Sequence, residues 1–94
     1  MARFEFDADK SRRNAARHGV SLAWAVRLWS RDHVIVPAKE ASGEPRWLIL
    51  AKVDGRCFMA VFARRGRSYR IISCHRADTR YERVYEVLAE AGEA

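Results

Sequence analysis

His75 is the side chain of this sequence best suited to proton transfer, because an imidazole can give or take a proton near neutral pH. Arg56 and Arg76 are expected beside it at the end of a predicted strand pair. Guanidinium groups bind phosphate through a planar, two-point geometry. The pattern therefore predicts a phosphate-binding site at this strand end, with a purely structural role for His75 as an equally supported alternative.

The other two histidines carry a weaker signal. His18 precedes a glycine and His33 begins a predicted strand, positions where packing or capping is the commoner role. The three histidines are too dispersed to predict a metal site. We therefore predict neither a metal nor a cofactor.

RNA can be cut without a metal when a base removes the proton of the 2′-hydroxyl and cations stabilise the anionic transition state. Glu44 or His75 is a candidate base, and His75 is also the candidate acid. A solvated ion pair between Glu44 and Arg46 is an equally supported alternative. The candidate stabilising cations are Arg46, Arg65, Arg70 and Arg76.

The positive charge is concentrated in one part of the chain. The net charge is +6, and 15 of the 18 basic residues are arginine. Residues 56–83 carry eight basic and two acidic side chains, which favours a polyanionic partner such as RNA over a merely soluble surface. Beyond the stabilising cations above, the candidate RNA contacts are Arg56, Arg64, Arg67, Arg80 and Arg83.

Length and composition predict one globular domain over residues 1–94. No apolar stretch approaches the 18 to 20 residues, roughly, that span a bilayer, and the first residues do not resemble a signal peptide. Cys57 and Cys74 are too few for a disulfide framework and lack zinc-site spacing. A cytoplasmic protein without membrane contact is therefore expected.

The first third of the chain is predicted to hold a strand and two helices. Phe4 and Phe6 alternate with polar residues, as in a short edge strand. Residues 8–18 form a weakly amphipathic helix, and residues 22–29 repeat apolar side chains at helical spacing. The expected caps are Asp7, Gly19 and Ser21.

The remainder is predicted to form four strands and a helix. Asp54-Gly55 and Arg65-Gly66 are hairpin signals that favour an antiparallel meander. Thr79 and Glu82 match a capping box that begins a helix ending near Gly92. The fold class is therefore α+β. The predicted strands are 33–36, 46–53, 57–63 and 69–75, and the loop 37–45 is expected to be irregular and mobile.

A guessed register for the last hairpin, in which partner numbers sum to 131, places Cys57 opposite Cys74 and Arg56 opposite His75. A cross-strand disulfide is then conceivable, but buried free thiols are the favoured interpretation. Both faces of this strand pair are largely apolar, which predicts cover on both sides of the sheet. The three tryptophans are expected in the core rather than stacked on bases.

Five ordered segments resemble the BrnT toxins of bacterial toxin-antitoxin pairs. They are FEFD at 4–7, RHGVS at 17–21, GEPRW at 43–47, RG at 65–66 and RIISCHRA at 70–77, with Glu82 and Tyr85 following. The match covers nearly the whole chain in order. The sequence differs from the family pattern at His75, where arginine is usual, and at Arg76, where lysine is common.

The resemblance implies a RelE-like fold and a ribonuclease that arrests translation. It also implies a BrnA-like antitoxin with a ribbon-helix-helix DNA-binding domain, so that the pair forms a hetero-oligomer and reaches DNA only through the antitoxin. Two alternatives stay open: a non-catalytic RNA-binding module, and an interaction domain whose arginine face receives an acidic protein segment.

Overall fold

The computed structural model describes residues 3–92. The elements, in chain order, are β1 (Arg3–Glu5), α1 (Ala8–His18), α2 (Leu22–Ala25), a 3₁₀ helix (Val26–Ser30), β2 (His33–Ala41), β3 (Glu44–Val53), β4 (Arg56–Arg65), β5 (Ser68–Arg76) and α3 (Thr79–Gly92). Among the described residues, no helix is both long enough and apolar enough to cross a bilayer.

The strands form one mixed sheet in the order β1-β5-β4-β3-β2. The antiparallel meander predicted for the last strands is confirmed. The N-terminal strand adds to it in parallel, with Phe4 opposite Tyr69. The predicted α+β class is confirmed, and the sheet as a whole is mixed because β1 joins its edge in the same direction as β5.

Each face of the sheet has its own apolar core, as the apolar pattern predicted. On one face, hereafter the α2 face, Leu22 and Leu28 pack against Phe62 and Ile71, with all three tryptophans at the margin. On the other, hereafter the α3 face, Leu48, Leu50 and Met59 are covered by residues of α3. We name the ends of the sheet by the turns they carry: the Gly55 end and the Gly66 end.

Helix α1 has the predicted boundaries and caps. The Asp7 side chain accepts a hydrogen bond from the Lys10 N–H (2.9 Å), and Gly19 ends the helix with φ +82°, a conformation that favours glycine. Two polar side chains of α1 are buried. The Ser11 hydroxyl accepts hydrogen bonds from the first N–H groups of α2, and Asn14 contacts β5.

Two predictions of local structure are wrong. The loop at 37–45 is a β-hairpin, because Ser42 and Gly43 both adopt positive φ (53° and 74°) and let β2 and β3 continue almost to a tight turn. Pro37 lies on the edge strand, where its missing N–H is tolerated. The second helix keeps its Ser21 cap but is α-helical for only one turn before tightening to 3₁₀.

The guessed register of β4 and β5 is also wrong. Met59 lies opposite His75 and Ala60 opposite Cys74, and a bulge follows at Val61/Phe62. The turn is Gly66-Arg67 and not Arg65-Gly66, since Arg65 lies opposite Ser68; this moves the register by two, and the bulge, which no turn signal reveals, moves it by one more. Cys57 shares the strand alternation of Met59 on the α3 face, whereas Cys74 packs in the core of the α2 face. The two thiols are buried and free, so the favoured interpretation of the two cysteines is confirmed.

Helix α3 begins one residue earlier than the capping box predicts. The Asp78 carboxylate accepts a hydrogen bond from the Tyr81 N–H (2.9 Å), so Asp78 is the N-cap instead of Thr79. An aspartate suits this position because its negative charge also faces the positive end of the helix dipole.

Candidate active site

Four of the predicted catalytic residues lie together on the α3 face at the Gly66 end. Side chains alternate along a strand, and this face is marked by Leu48 on β3 and Met59 on β4. The same alternation brings one glutamate and three arginines onto it from three adjacent strands. We call this set the Glu44 cluster: Glu44, Arg46, Arg65 and Arg70.

The contacts within the cluster orient its charged groups. The Arg65 Nε donates to Glu44 Oε2 at 3.3 Å, with the Glu44 side chain 33% exposed. Arg70 Nη1 lies 4.0 Å from the carboxylate of Glu5 on β1. Arg46 buries its Nε, which has no hydrogen-bond partner within residues 3–92. Glu44 forms its ion pair with Arg65 and not with Arg46, the partner considered from the sequence. Arg65 is within reach because it lies on β4, the strand next to β3.

Chemically, this cluster combines a partly exposed carboxylate with several cations. A carboxylate can accept a proton, and guanidinium groups on one surface can hold a phosphate and stabilise added negative charge. The exposed ion pair itself adds at most about 1 kcal/mol to stability. The pair therefore contributes little to folding, and the cluster is a candidate site for an anionic ligand.

His75 lies on the same face but at the opposite, Gly55 end. Five residues of strand separate it from Arg70, which is roughly 16 Å. Its Nδ1 lies 2.7 Å from the Arg76 carbonyl oxygen, so Nδ1 carries the proton, and in the neutral ring Nε2 is the acceptor. The His18 ring is 5.3 Å away. The structure does not bring His75 and Glu44 into one site.

Arg56 and Arg76 are at the Gly55 end but on the other face. Arg76 lies opposite Phe58, and Arg56 precedes Phe58 by two residues on β4. Both arginines therefore lie on the α2 face, and the expected juxtaposition of Arg56 with His75 across the strands is wrong. The error follows from the register shift described above.

The other predicted RNA contacts are spread over the molecule. Arg64 lies on the α2 face with its guanidinium 4.9 Å from the centre of the Trp47 ring, and Arg67 is exposed in the following turn. Arg80 and Arg83 are exposed on α3. Arg64 and Arg67 are at the Gly66 end and Arg56 is at the Gly55 end, so these three arginines do not share one end of the sheet.

Sequence reasoning missed a groove between α1 and the edge of β5 that β1 leaves uncovered. The groove has a volume of about 670 Å³. Three cations spaced three and four residues apart on α1 were the available signal, but nothing in the sequence showed that this face lies beside β5. We call it the α1 groove; its lining includes Lys10, Arg13, Arg17, His18, Ile72 and Ser73.

The cysteines are poor candidates for catalysis. Burial raises the pKa of the Cys57 thiol to about 11, with the charges of Glu82 and Glu86 adding to the effect. Burial raises the pKa of Cys74 to about 12. Both thiols are protonated at neutral pH, and the thiolate is the nucleophilic form.

Metal-ligating side chains are also not clustered in the part of the chain that the structure covers. No group of three or more His, Cys, Asp or Glu residues there is placed to hold a metal ion.

Comparison with known proteins identifies the family. No curated protein is significantly similar to the chain. Residues 6–81, most of the chain, match the family model described as the ribonuclease toxin, BrnT, of type II toxin-antitoxin systems. This match includes α1, all four strands of the meander and the Glu44 cluster. The chain therefore belongs to the BrnT family of ribonuclease toxins.

Proposed function

We propose that this chain is a metal-independent endoribonuclease that inhibits translation, and that Glu44 is its general base. The observation that carries the proposal is the contact between Glu44 and Arg65 (3.3 Å) on a sheet face that also presents Arg46 and Arg70. Membership of a ribonuclease toxin family supports the activity.

The reaction needs one base and a cationic surface. Glu44 takes the proton of the ribose 2′-hydroxyl, and the 2′ oxygen forms a bond to the adjacent phosphorus. The bond from phosphorus to the 5′ oxygen then breaks, and that oxygen takes a proton from water. The hydroxide left by that water takes the proton from Glu44, and the products are a 2′,3′-cyclic phosphate and a 5′-hydroxyl.

The arginines have separate roles in this scheme. Arg65 donates to Glu44 and holds the carboxylate in one orientation. Arg70, which Glu5 restrains from β1, and Arg46 stabilise the additional negative charge on the phosphate oxygens. A guanidinium that is already held in place loses little orientational freedom when the transition state forms.

His75 is the second candidate base. Its Nδ1 contacts the backbone carbonyl oxygen of Arg76, which leaves Nε2 as the acceptor in the neutral ring, and the centre of the His18 ring lies 5.3 Å away. Because the distance to Arg70 is roughly 16 Å, His75 would act in a separate site and not as the acid partner of Glu44.

The two bases are distinguished by single variants of the purified protein, assayed with a labelled single-stranded RNA of mixed sequence in the presence of EDTA. Glu44→Gln is expected to lower the cleavage rate by about 10² to 10⁴-fold, and His75→Gln to leave it nearly unchanged. Glu40→Gln, an exposed glutamate on the same hairpin, is the matched control. Far-UV circular dichroism confirms that each variant is folded.

Loss of cleavage in His75→Gln with full activity in Glu44→Gln would assign the base to His75. A wild-type protein that binds RNA without cleaving it would replace the enzyme by a non-catalytic binding module. A protein that binds an acidic segment and no RNA would indicate an interaction domain.

A type II toxin has an antitoxin partner. We propose that it is BrnA-like, with a ribbon-helix-helix domain, that the pair is a cytoplasmic hetero-oligomer, and that the toxin fold is RelE-like. Co-expression with the neighbouring small open reading frame should restore growth and yield a co-purifying complex. Separate elution of the two chains would contradict the partner assignment.

A further inference from the structure

We propose that the α1 groove is a binding site for the phosphate backbone of single-stranded RNA, separate from the Glu44 cluster. The inference rests on the proposed function only in the choice of RNA as the polyanion. The site itself follows from the shape and charge of the groove.

The cations of the groove lie on one face of α1. Lys10, Arg13 and Arg17 are spaced by three and four residues, and all are exposed. Lys10 and Arg17 are about 10 Å apart along the helix axis. They are therefore spaced to contact a short run of consecutive phosphates instead of a single anion.

These cations are not used in ion pairs within residues 3–92. Arg12, on a different side of α1, forms an ion pair with Asp9 instead. Among residues 3–92, no carboxylate lines the groove. An anion that enters it therefore meets positive charge without displacing an acidic side chain.

The opposite wall of the groove is formed by β5, and His18 lines the groove at the C-terminal end of α1. Ile72 and Ser73 lie at the bulge of β5, where the strand has passed the end of β1. At the Gly55 end, His18 lines the groove, and the centre of its ring lies 5.3 Å from that of His75. The Ser73 hydroxyl and the His18 ring are thus available for sugar and base contacts beside the phosphate track.

Hydrogen bonds from a buried side chain hold the two walls of the groove together. Asn14, between Lys10 and Arg17 on the helix, donates to the carbonyl oxygens of Val20 and Cys74, both at 2.7 Å. The Asn14 side chain is buried and its amide is used in these hydrogen bonds, so it fixes the distance between α1 and β5. A preformed groove loses less entropy on binding than a flexible basic arm.

The groove also lies close to the proposed catalytic cluster. Ser73 is three residues along β5 from Arg70, or roughly 10 Å. Both side chains lie on the α3 face, since Ser73 is opposite Val61 and Arg70 opposite Ala63. An RNA strand held in the groove can therefore extend to the Glu44 cluster without crossing the sheet.

The test measures binding separately from cleavage, with a fully 2′-O-methylated single-stranded RNA that has no 2′-hydroxyl to react. The groove variant carries Lys10→Gln, Arg13→Gln and Arg17→Gln. The matched control removes the same charge outside the groove with Arg12→Gln, Arg31→Gln and Lys39→Gln, all at exposed positions. Binding is followed by fluorescence anisotropy over a range of salt concentrations.

The groove variant should bind about tenfold more weakly or worse, and the slope of log K against log salt should become less negative by about 2, as expected for three lost contacts to a single strand. The control should change far less. Equal losses in both variants, or unchanged binding of the groove variant, would overturn the site. Preference of the groove for an acidic peptide over the RNA would also overturn it.

The outcome of this binding test does not depend on whether the protein cleaves RNA. If the groove variant loses RNA binding while the wild type cleaves nothing, the groove is supported and the enzyme is not. If the wild type cleaves and the groove variant binds normally, only the groove is rejected.

Discussion

The side chain of Asn14 makes the hydrogen bonds to the backbone of Cys74 that a neighbouring strand would otherwise make. Its Nδ2 donates to the Cys74 carbonyl oxygen (2.7 Å), and its Oδ1 accepts from the Cys74 N–H (3.3 Å). An amide side chain can do this because it has the same donor and acceptor as a peptide group. It pairs part of the β5 edge that the short β1 does not reach, and it holds α1 beside the sheet.

Asn14→Ala is expected to destabilise the protein by about 2 to 3 kcal/mol, because buried backbone groups of Cys74 and Val20 lose their partners. Urea unfolding measures the difference in free energy of unfolding. Lys10→Ala, exposed on the same helix, should change it by less than about 0.5 kcal/mol. Equal stability of the two variants would show that water replaces the amide at no cost.

Asp7→Ala is expected to lower the free energy of unfolding, because alanine cannot cap the helix N-terminus, whereas Asp7→Asn should retain most of the stability. The hydrogen bond from the Lys10 N–H lowers the pKa of Asp7 below its usual 3.8, with Lys10 and Arg13 charges assisting. Asp7 thus stabilises the fold above pH 3.8, and this contribution disappears as the pH falls through the lowered pKa. Acid titration of unfolding should show a smaller acid-side loss in Asp7→Asn; parallel curves would contradict this.

Both thiols should be unreactive in the folded protein at neutral pH. A thiol-specific reagent such as Ellman's should modify Cys57 and Cys74 slowly in buffer and rapidly in denaturant, since both are buried. Because burial raises their pKa values to about 11 and about 12, unfolding should become easier as the pH rises from 9 upward, where the unfolded thiols ionise first. Stability that depends on added reductant would instead indicate a disulfide between Cys57 and Cys74. Their positions on opposite faces of the sheet exclude that bond.

Arg70→Gln should lower the cleavage rate constant by about 10² to 10³-fold, the usual effect of removing one charge-stabilising donor from a transition state. Affinity for the 2′-O-methylated RNA should change much less, because three other cations hold the strand in the α1 groove. Arg70→Lys keeps the charge without the fork geometry and should give an intermediate rate. An affinity loss as large as the rate loss would make Arg70 a binding residue.

The local signals in the sequence predicted much of the fold. Asp7 and Gly19 marked the ends of α1, and Asp54-Gly55 marked a hairpin, because caps and tight turns depend on a few adjacent residues. The register of β5 was not predictable, because the turn is Gly66-Arg67, one residue later than the predicted Arg65-Gly66, and the bulge opposite Val61 and Phe62 depends on packing on both faces of the sheet.

The candidate site was predictable only in part. Residue types indicated Glu44 and the neighbouring arginines as candidates. Their separation from His75 depends on which end of its strand each residue occupies. The α1 groove was missed because it depends on a single pairing across sixty residues, between Asn14 and Cys74. Long-range pairings of this kind have no periodic signature.

The chemical identity of the cleaved ends shows whether the 2′-hydroxyl is the nucleophile. If a base of this chain activates the 2′-hydroxyl, mass spectrometry of the RNA fragments should find a 2′,3′-cyclic phosphate on the upstream fragment and a 5′-hydroxyl on the downstream one, with EDTA present. A single 2′-deoxy nucleotide at the cut position should abolish that cut. Fragments that end in a 3′-hydroxyl and begin with a 5′-phosphate would contradict the account.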